Sequence, residues 1–409
     1  MVSSEFYRAL LMKPNGKPIP GIFATQDEKI HHMLKKPVSN AYSMTALLSF
    51  EPYVDTASEV FCRELTDRFA TTGQSFDLGV WLQMYAFDVI GELTFSRRLG
   101  FLESGTDVNG VMKNIWDMFK ETSLVTQMPW IDDLWTNNPV RRYMRGHGVS
   151  PGAAFAMARV QERREQVQAG KTDWDRETRD FMSRFLEVEA KDSTLPPYAI
   201  AAWASSNITA GSDTTGILLR SIFYYLLSNP SSLARLRAEL SSASDALGPM
   251  SSWRQARELP YLDAIIKEAG RLNPSFGLPY ERVVPAGGAT ICERYLPEGT
   301  VVGMSAFVVH HDPEVFGDDC DQWRPERWLD GGEERRRKME NSLLTFGAGH
   351  RSCLGKNIAY LEVYKVVPTL LYHFDFQLLG PEDGGRWEVK NRWLAMPEGL
   401  MVRIQRRGG

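Results

Sequence analysis

The run Phe346-Gly347-Ala348-Gly349-His350-Arg351-Ser352-Cys353-Leu354-Gly355 sets a cysteine in a glycine-rich loop just before a helical stretch. The first amides of a helix have no partner within it and carry the positive end of its dipole. A cysteine placed there favours the thiolate, the form that ligates metal. Gly349 permits a tight turn, and Gly355 allows another group to come close. Phe346 can wall the sulfur off from water, and Arg351 can neutralise a carboxylate on a ligand. Taken alone, Cys353 reads more simply as a buried cysteine in a glycine-rich turn.

A second unusual run is Ala210-Gly211-Ser212-Asp213-Thr214-Thr215. It lies within residues 197–228, where no proline intervenes after Pro197 and Asn229-Pro230 ends the stretch, so one helix of about 30 residues is expected. Glycine costs about 1 kcal/mol relative to alanine inside a helix, and Ser, Asp and Thr are weak helix formers. Local misfits in a strong element mark a functional site. The Thr214 hydroxyl can bond the Ala210 carbonyl one turn back, bending or opening the helix into a polar notch. Asp213 adds a proton source beside it. A surface patch or a simple kink is the plainer alternative.

A third set is Glu268 and Arg271, three residues apart on one helix face, with Arg324-Pro325-Glu326-Arg327-Trp328 downstream. The same Glu-x-x-Arg spacing recurs at Glu5–Arg8, Glu333–Arg336 and Glu334–Arg337, read as solvated pairs.

The elements that must carry these residues follow from pattern. Residues 41–170 read as largely helical, broken near Thr72-Gly73, Gly100, Pro129 and Pro151. Residues 191–197 form a turn and helix start, and further helices are expected at 231–241, 260–272 and 355–374. Residues 274–302 alternate in short runs rich in Pro, Gly and Val, which suggests small strands. The tail, 374–404, reads as hairpins with a turn at 381–385. The fold class is mainly α with small β-sheets.

These sets together resemble the cytochrome P-450 family, most closely its fungal microsomal members. The cysteine loop matches F-x-x-G-x-R-x-C-x-G at every fixed position, and residues 210–215 match A/G-G-x-D/E-T-T/S. The resemblance implies haem b, its iron held axially by Cys353. Arg351, Phe346, Gly349, Gly355, Ala210 and Gly211 would contact the cofactor. Thr214 would handle dioxygen and guide protons to it, with Asp213 feeding the relay. Glu268, Arg271 and Arg327 would form a buried structural triad, with Trp328 standing where the family usually has Phe. His31 and Lys35, in a run reaching Ser43, fall where the family places a propionate-binding pair; Lys35 replaces the usual Arg and loses its fixed fork. Arg282 is a further propionate candidate. Phe276, Gly277 and Leu278, the turn around Asn207 and Ala210, and 393–396 would line the substrate pocket, with core packing as the alternative.

The implied activity is insertion of one oxygen atom from O2 into a lipophilic small molecule, in fungal secondary metabolism or detoxification. Electrons would come from NADPH–cytochrome P-450 reductase, with cytochrome b5 as a second donor. A haem-thiolate isomerase or dehydratase, and an inactive remnant, are the alternatives. Residues 1–409 would be one haem domain, incomplete at its start: the anchor, first helices and first sheet strands of the family are expected to be missing. The family resides on the cytosolic face of the endoplasmic reticulum; with no anchor, the chain as written is expected to be soluble or peripheral.

Composition agrees with this class. The 409 residues carry a net charge of −4 with a pI near 6.1, so a basic nucleic-acid footprint is absent. Cysteines at 62, 292, 320 and 353 are spaced 230, 28 and 33 apart, which fits neither a zinc site nor a disulfide framework. No run nears the ~18 apolar residues of a membrane span, and no signal peptide is read at the start. Arg335-Arg336-Arg337-Lys338 reads as a solvated loop or as a docking patch for an acidic electron donor.

Overall fold

The computed structural model describes residues 2–11, 18–135, 138, 151–169, 179–243 and 248–407. Its longer helices are α1 (Glu28–Lys35), α2 (Glu51–Leu65), α3 (Leu78–Phe95), α4 (Val111–Gln127), α5 (Pro151–Gln168), α6 (Phe181–Lys191), α7 (Ala199–Ser228), α8 (Pro230–Ser242), α9 (Pro260–Leu272), α10 (Glu333–Ser342) and α11 (Lys356–His373). The strands are short: β1 (Val2–Ser3), β2 (Phe76–Asp77), β3 (Tyr280–Val283), β4 (Ala289–Ile291), β5 (Arg294–Leu296), β6 (Val301–Met304), β7 (Phe374–Leu378), β8 (Glu388–Arg392), β9 (Leu394–Glu398) and β10 (Met401–Arg406). The mainly helical reading holds. The breaks expected at Gly100, Pro129 and Pro151 fall between helices or at their first residue. Most of residues 136–150, and Gly170, lie outside the described residues.

The chain forms two compact units. One comprises Met1–Ala41, Asn109–Thr209 and Leu278–Ser305; the other comprises Tyr42–Val108, Ala210–Gly277 and Ala306–Gly409. In the first, β1, β3 and β6 make an antiparallel sheet with Ser3 opposite Arg282 and Arg282 opposite Val302. Phe6 and Tyr7 are buried beside it. The α1 helix starts at Asp27, whose side chain accepts the amides of Lys29 and Ile30, and Pro37 follows its end. The Trp203 indole donates to the Leu34 carbonyl at 3.1 Å, tying α1 to the start of α7.

In the second unit, α3 is buried at all but one of its positions, and α7 is buried along most of its length. A helix apolar on every side belongs inside a core. The two run antiparallel, and glycines set how closely they pack. A Cβ at Gly211 would lie 3.2 Å from Ile90, one at Gly216 would lie 3.2 Å from the Gln83 Cα, and one at Gly79 would lie 3.1 Å from the Arg220 Nε. The glycine that looked like a misfit at 211 is therefore a packing residue. Around this pair lie α2, α9 and α11, the sheet β2-β10-β7 and the hairpin β8–β9.

One expectation is corrected. The basic run at 335–338 is helical, in α10, and only Met339 of that helix is buried. Glu333 and Glu334 occupy its first turn, where carboxylates favour the dipole. Strong intrinsic propensity makes the helix without an apolar stripe.

Gly216→Ala should force α3 away from α7, because the nearest atom is backbone. We expect a loss of about 1–3 kcal/mol, read as a lower denaturant midpoint with haem content monitored in parallel. An unchanged midpoint would mean that the crossing tolerates a methyl group.

Candidate functional site

Glu268, on α9, is fully buried with Arg271 and Arg327. Its Oε1 accepts from Arg271 Nη2 (2.8 Å), Arg327 Nε (2.9 Å) and the Arg324 amide (3.0 Å). Its Oε2 accepts from Arg271 Nε (2.8 Å) and from the Trp328 indole (2.9 Å). The departure from the family at 328 thus supplies a donor that Phe lacks. The remaining guanidinium donors reach the carbonyls of His310, Cys320, Gln322, Phe316 and Asp319. The three residues expected to cluster do so, and five N–H groups on one carboxylate satisfy a charge that would be costly to bury alone.

The step from this cluster to the cysteine loop runs through residues that the sequence did not single out. His310 is buried; its Nδ1 donates to the Arg271 carbonyl at 2.9 Å, and its Nε2 accepts the Leu344 amide at 2.7 Å. Those two bonds require the neutral ring with hydrogen on Nδ1. Burial pushes its pKa down to about 4, with the nearby Arg271 charge acting the same way. Thr345 donates its hydroxyl to the Gly270 carbonyl at 3.1 Å, and a Cβ on Gly270 would meet Thr345 at 2.9 Å. The chain just before Phe346 is therefore clamped to α9 at 344 and 345.

Beyond the clamp, Gly347 and Gly349 both adopt φ +67, the left-handed turn that glycine takes without strain. The Cys353 amide donates to the Phe346 carbonyl at 2.9 Å, closing the loop. The Phe346 ring meets Tyr360 edge-on at 5.0 Å. Cys353 is exposed three residues before α11, and the nearest atom to a Cβ placed on Gly355 is the Cys353 Sγ, 4.0 Å away. The other cysteines differ. Cys320 is buried, burial pushes the Cys62 thiol up to about 12, and Cys292 sits at the tip of the β4–β5 hairpin with φ 48. Cys353 alone combines access with a helix N-terminus.

On α7, the Thr214 hydroxyl donates to the Ala210 carbonyl at 2.7 Å, as anticipated, and the helix continues unbroken through it. The Ser275 hydroxyl donates to the Thr214 carbonyl at 3.1 Å. Ser212, Asp213 and Thr215 are buried, yet Ala210 is exposed and Gly211 and Thr214 are partly so. A bare strip on an otherwise buried helix is the wall that a large flat cofactor would cover. An accessible sulfur and this strip, both in the second unit, fit haem by the chemistry of their donors and by what they leave uncovered.

Asp213 accepts from Gln83 Nε2, and Gln83 Oε1 accepts from Arg220 Nη2. Burial raises the Asp213 pKa to about 6 against the Gln83 hydrogen bond and the Arg220 charge. Neither Gln83 nor Arg220 was foreseen.

The weaker candidates divide. His31 is buried, with Nδ1 3.7 Å from Glu28, and the Lys35 carbonyl accepts from Ser39. Ser43 is not on that helix; it caps the next short one at Met44–Leu47. Arg282 lies on β3, donates to the Tyr7 hydroxyl at 2.9 Å and stacks over its ring. His31, Lys35 and Arg282 belong to the first unit, as do Asn207 and Leu278, whereas Ser43 belongs to the second. Phe276 and Gly277 belong to the second. There the Gly277 amide donates to the Trp393 carbonyl at 3.0 Å, and Phe276 meets Trp393 edge-on at 5.0 Å. Leu394, Ala395 and Met396 are buried in the core.

Two outcomes are expected from this geometry. Arg327→Leu strands the Glu268 charge and should cost about 3–5 kcal/mol, read as a fall in the unfolding midpoint with loss of haem retention. At His310, the unfolded chain takes up a proton near 6.5 but the folded chain only near 4. Between those values the unfolded state holds more protons, so stability rises with pH and is lost as pH falls, by on the order of 3 kcal/mol. His310→Gln should flatten that part of the stability–pH curve; an unaltered slope would count against the clamp.

The comparisons with known proteins agree with the geometry. The cytochrome P450 family model matches residues 6–401. A cytochrome P450 monooxygenase of Aspergillus terreus is 68% identical over 92% of this chain and 77% of its own length. Cytochrome P450 monooxygenase cicH of Emericella nidulans is 49% identical over 99% of this chain and 81% of its own length. Among solved structures, the cytochrome P450 CYP102L1 superposes with a TM-score of 0.80 at 19% identity, covering 99% of this chain and 84% of that one, and so shares the fold. The chain therefore belongs to the cytochrome P450 family: it is a monooxygenase whose cofactor is haem on a cysteine thiolate, working with a redox partner on a small molecule.

Proposed function

We propose that this chain inserts one oxygen atom from O2 into a lipophilic small molecule, by hydroxylation or oxidative demethylation, in fungal secondary metabolism or detoxification. The observation that carries the reading is the exposed Cys353, clamped through Thr345 and His310 to the Glu268 cluster. The whole chain, 1–409, acts as one haem domain. Cys353 would supply the sulfur ligand, Phe346 and Tyr360 would shield the loop, and Arg351, Gly349, Gly355, Ala210 and Gly211 would contact the cofactor. His31, Lys35 and Arg282 are the propionate candidates. Haem, when bound, supplies the oxygen chemistry, with thiolate electron density favouring O–O cleavage.

The protein's own contribution is protonic and geometric. The Thr214 hydroxyl gives its hydrogen to the Ala210 carbonyl, which leaves its oxygen lone pairs directed outward as acceptors. Asp213, whose proton affinity lies near neutrality, can release and regain a proton beside it. Phe276, Gly277 and Leu278 would orient the substrate.

NADPH–cytochrome P-450 reductase is the proposed electron donor, with cytochrome b5 as a second source. The exposed arginines of α10 are a candidate docking face, where charge would act mainly on the association rate. The proposed location is the cytosolic face of the endoplasmic reticulum. Among the described residues no helix is long and apolar enough to cross a membrane.

The ferrous–carbon monoxide difference spectrum tests the ligand. A strongly red-shifted Soret band in the parent, absent in Cys353→Ala, is expected; a band that survives the substitution assigns the sulfur elsewhere. Thr214→Ala should keep haem but divert NADPH electrons to peroxide, and unchanged coupling to product would remove Thr214 from proton delivery.

A further inference from the structure

Asp213 and Glu362 are both buried carboxyl groups of the second unit, and they are treated differently. Among the described residues Glu362, on α11, has no hydrogen-bond partner at either oxygen, and burial alone drives its pKa well above the usual carboxylate range. It is held neutral. Asp213 is 1% exposed but has a partner. Its Oδ1 accepts Gln83 Nε2 at 2.5 Å, and Gln83 Oε1 accepts Arg220 Nη2 at 2.6 Å. Arg220 is held in turn by the Gly79 carbonyl at 2.9 Å, the Pro397 carbonyl at 2.5 Å and the Met396 sulfur at 3.2 Å.

This arrangement fixes the amide in one sense. If Gln83 were turned over, its NH2 would face a guanidinium and its oxygen a carboxylate, so two attractions would become two repulsions. Glycines make the approach possible. Gly216 lets the Gln83 backbone pass against α7, and Gly79 lets Arg220 lie against the start of α3. The cation therefore reaches the carboxyl through an amide. A direct Arg–Asp pair would hold Asp213 ionised, and no donor at all would leave it neutral like Glu362. The interposed amide lets the group exist in both states.

We infer that Gln83, locked by Arg220 across the α3–α7 crossing, is a positioning residue that sets the orientation and proton affinity of the Asp213 carboxyl. The inference rests on the reading of Asp213 as the proton source. The charged groups acting on Asp213 are Arg220 on its own helix and Asp107 on the segment before α4; Arg220 in turn faces Asp77 and Glu398.

The test is a pH titration of the purified haem-loaded protein by difference infrared spectroscopy. It follows the carboxylic-acid carbonyl band that Asp213→Asn abolishes. In the parent its midpoint is expected near 6. Gln83→Met keeps length and removes the amide, so the midpoint should rise by about one pH unit. Gln83→Glu still gives Arg220 an acceptor, which protects the fold, but takes the donor from Asp213 and sets an acid beside it; its midpoint should rise further. The pH at which coupling of NADPH to product is half-maximal should move with the band. A midpoint unmoved in both Gln83 variants overturns the inference and leaves Asp213's role intact. A midpoint that moves, in a protein whose Asp213→Asn variant couples normally, upholds the positioning by Gln83 and removes the proton-source reading.

Discussion

One carboxylate organises the second unit. Glu268 is buried beyond the reach of water, and its charge is acceptable only because five N–H groups from four residues converge on it. Three of those residues, at 324, 327 and 328, lie 56 to 60 positions further along the chain. The helix carrying Glu268 cannot bury that face before the later segment arrives, since a half-satisfied charge costs more than a solvated one. A loop of nearly sixty residues must close first, at an entropic cost that grows only slowly with its length. The cysteine loop is tied to the same helix at 344 and 345, so the sulfur is positioned by an assembly formed from distant parts of the chain.

Much of the site could be read in the sequence because its chemistry demands residue types that ordinary packing would not select. A cysteine ahead of a helix, and an Asp-Thr pair inside one, conflict with local propensity. Pro260 at a first turn and Asn273-Pro274 after the last fixed α9 at its observed bounds, and the absence of proline after 197 revealed α7. What stayed hidden depends on partners far away. Gln83 is one of many polar residues until it meets Asp213 130 positions later. His310 reads as a loop histidine until both its nitrogens are engaged by backbone groups. Arg220, set among apolar neighbours in the sequence, shows its purpose only when the Gly79 and Pro397 carbonyls and Gln83 are brought to it. The basic helix α10 was missed for the opposite reason, since helical propensity without amphipathic pattern is easily taken for a solvated loop. The two glutamates opening it were the available sign.

The two buried carboxyls show how one fold gives like groups unlike behaviour. Desolvation acts on both, and the difference lies in whether a donor stands opposite. Glu362 shows what Asp213 would become without its amide. Trp328 makes a similar point at the structural cluster, where a substitution within an apolar class adds a polar tether to Glu268.

The crossing of α3 and α7 also bears on how such a sequence can change. Positions 79, 83, 216 and 220 touch one another across two helices separated by more than a hundred residues. A larger side chain at 216 displaces the residue at 83; loss of the acceptor at 83 removes one partner of the guanidinium at 220; a change at 220 frees space against 79. Substitutions at these contacting positions are coupled in their effects. Replacements at the crossing are therefore expected to come in concert, unlike those on the exposed faces of the same unit.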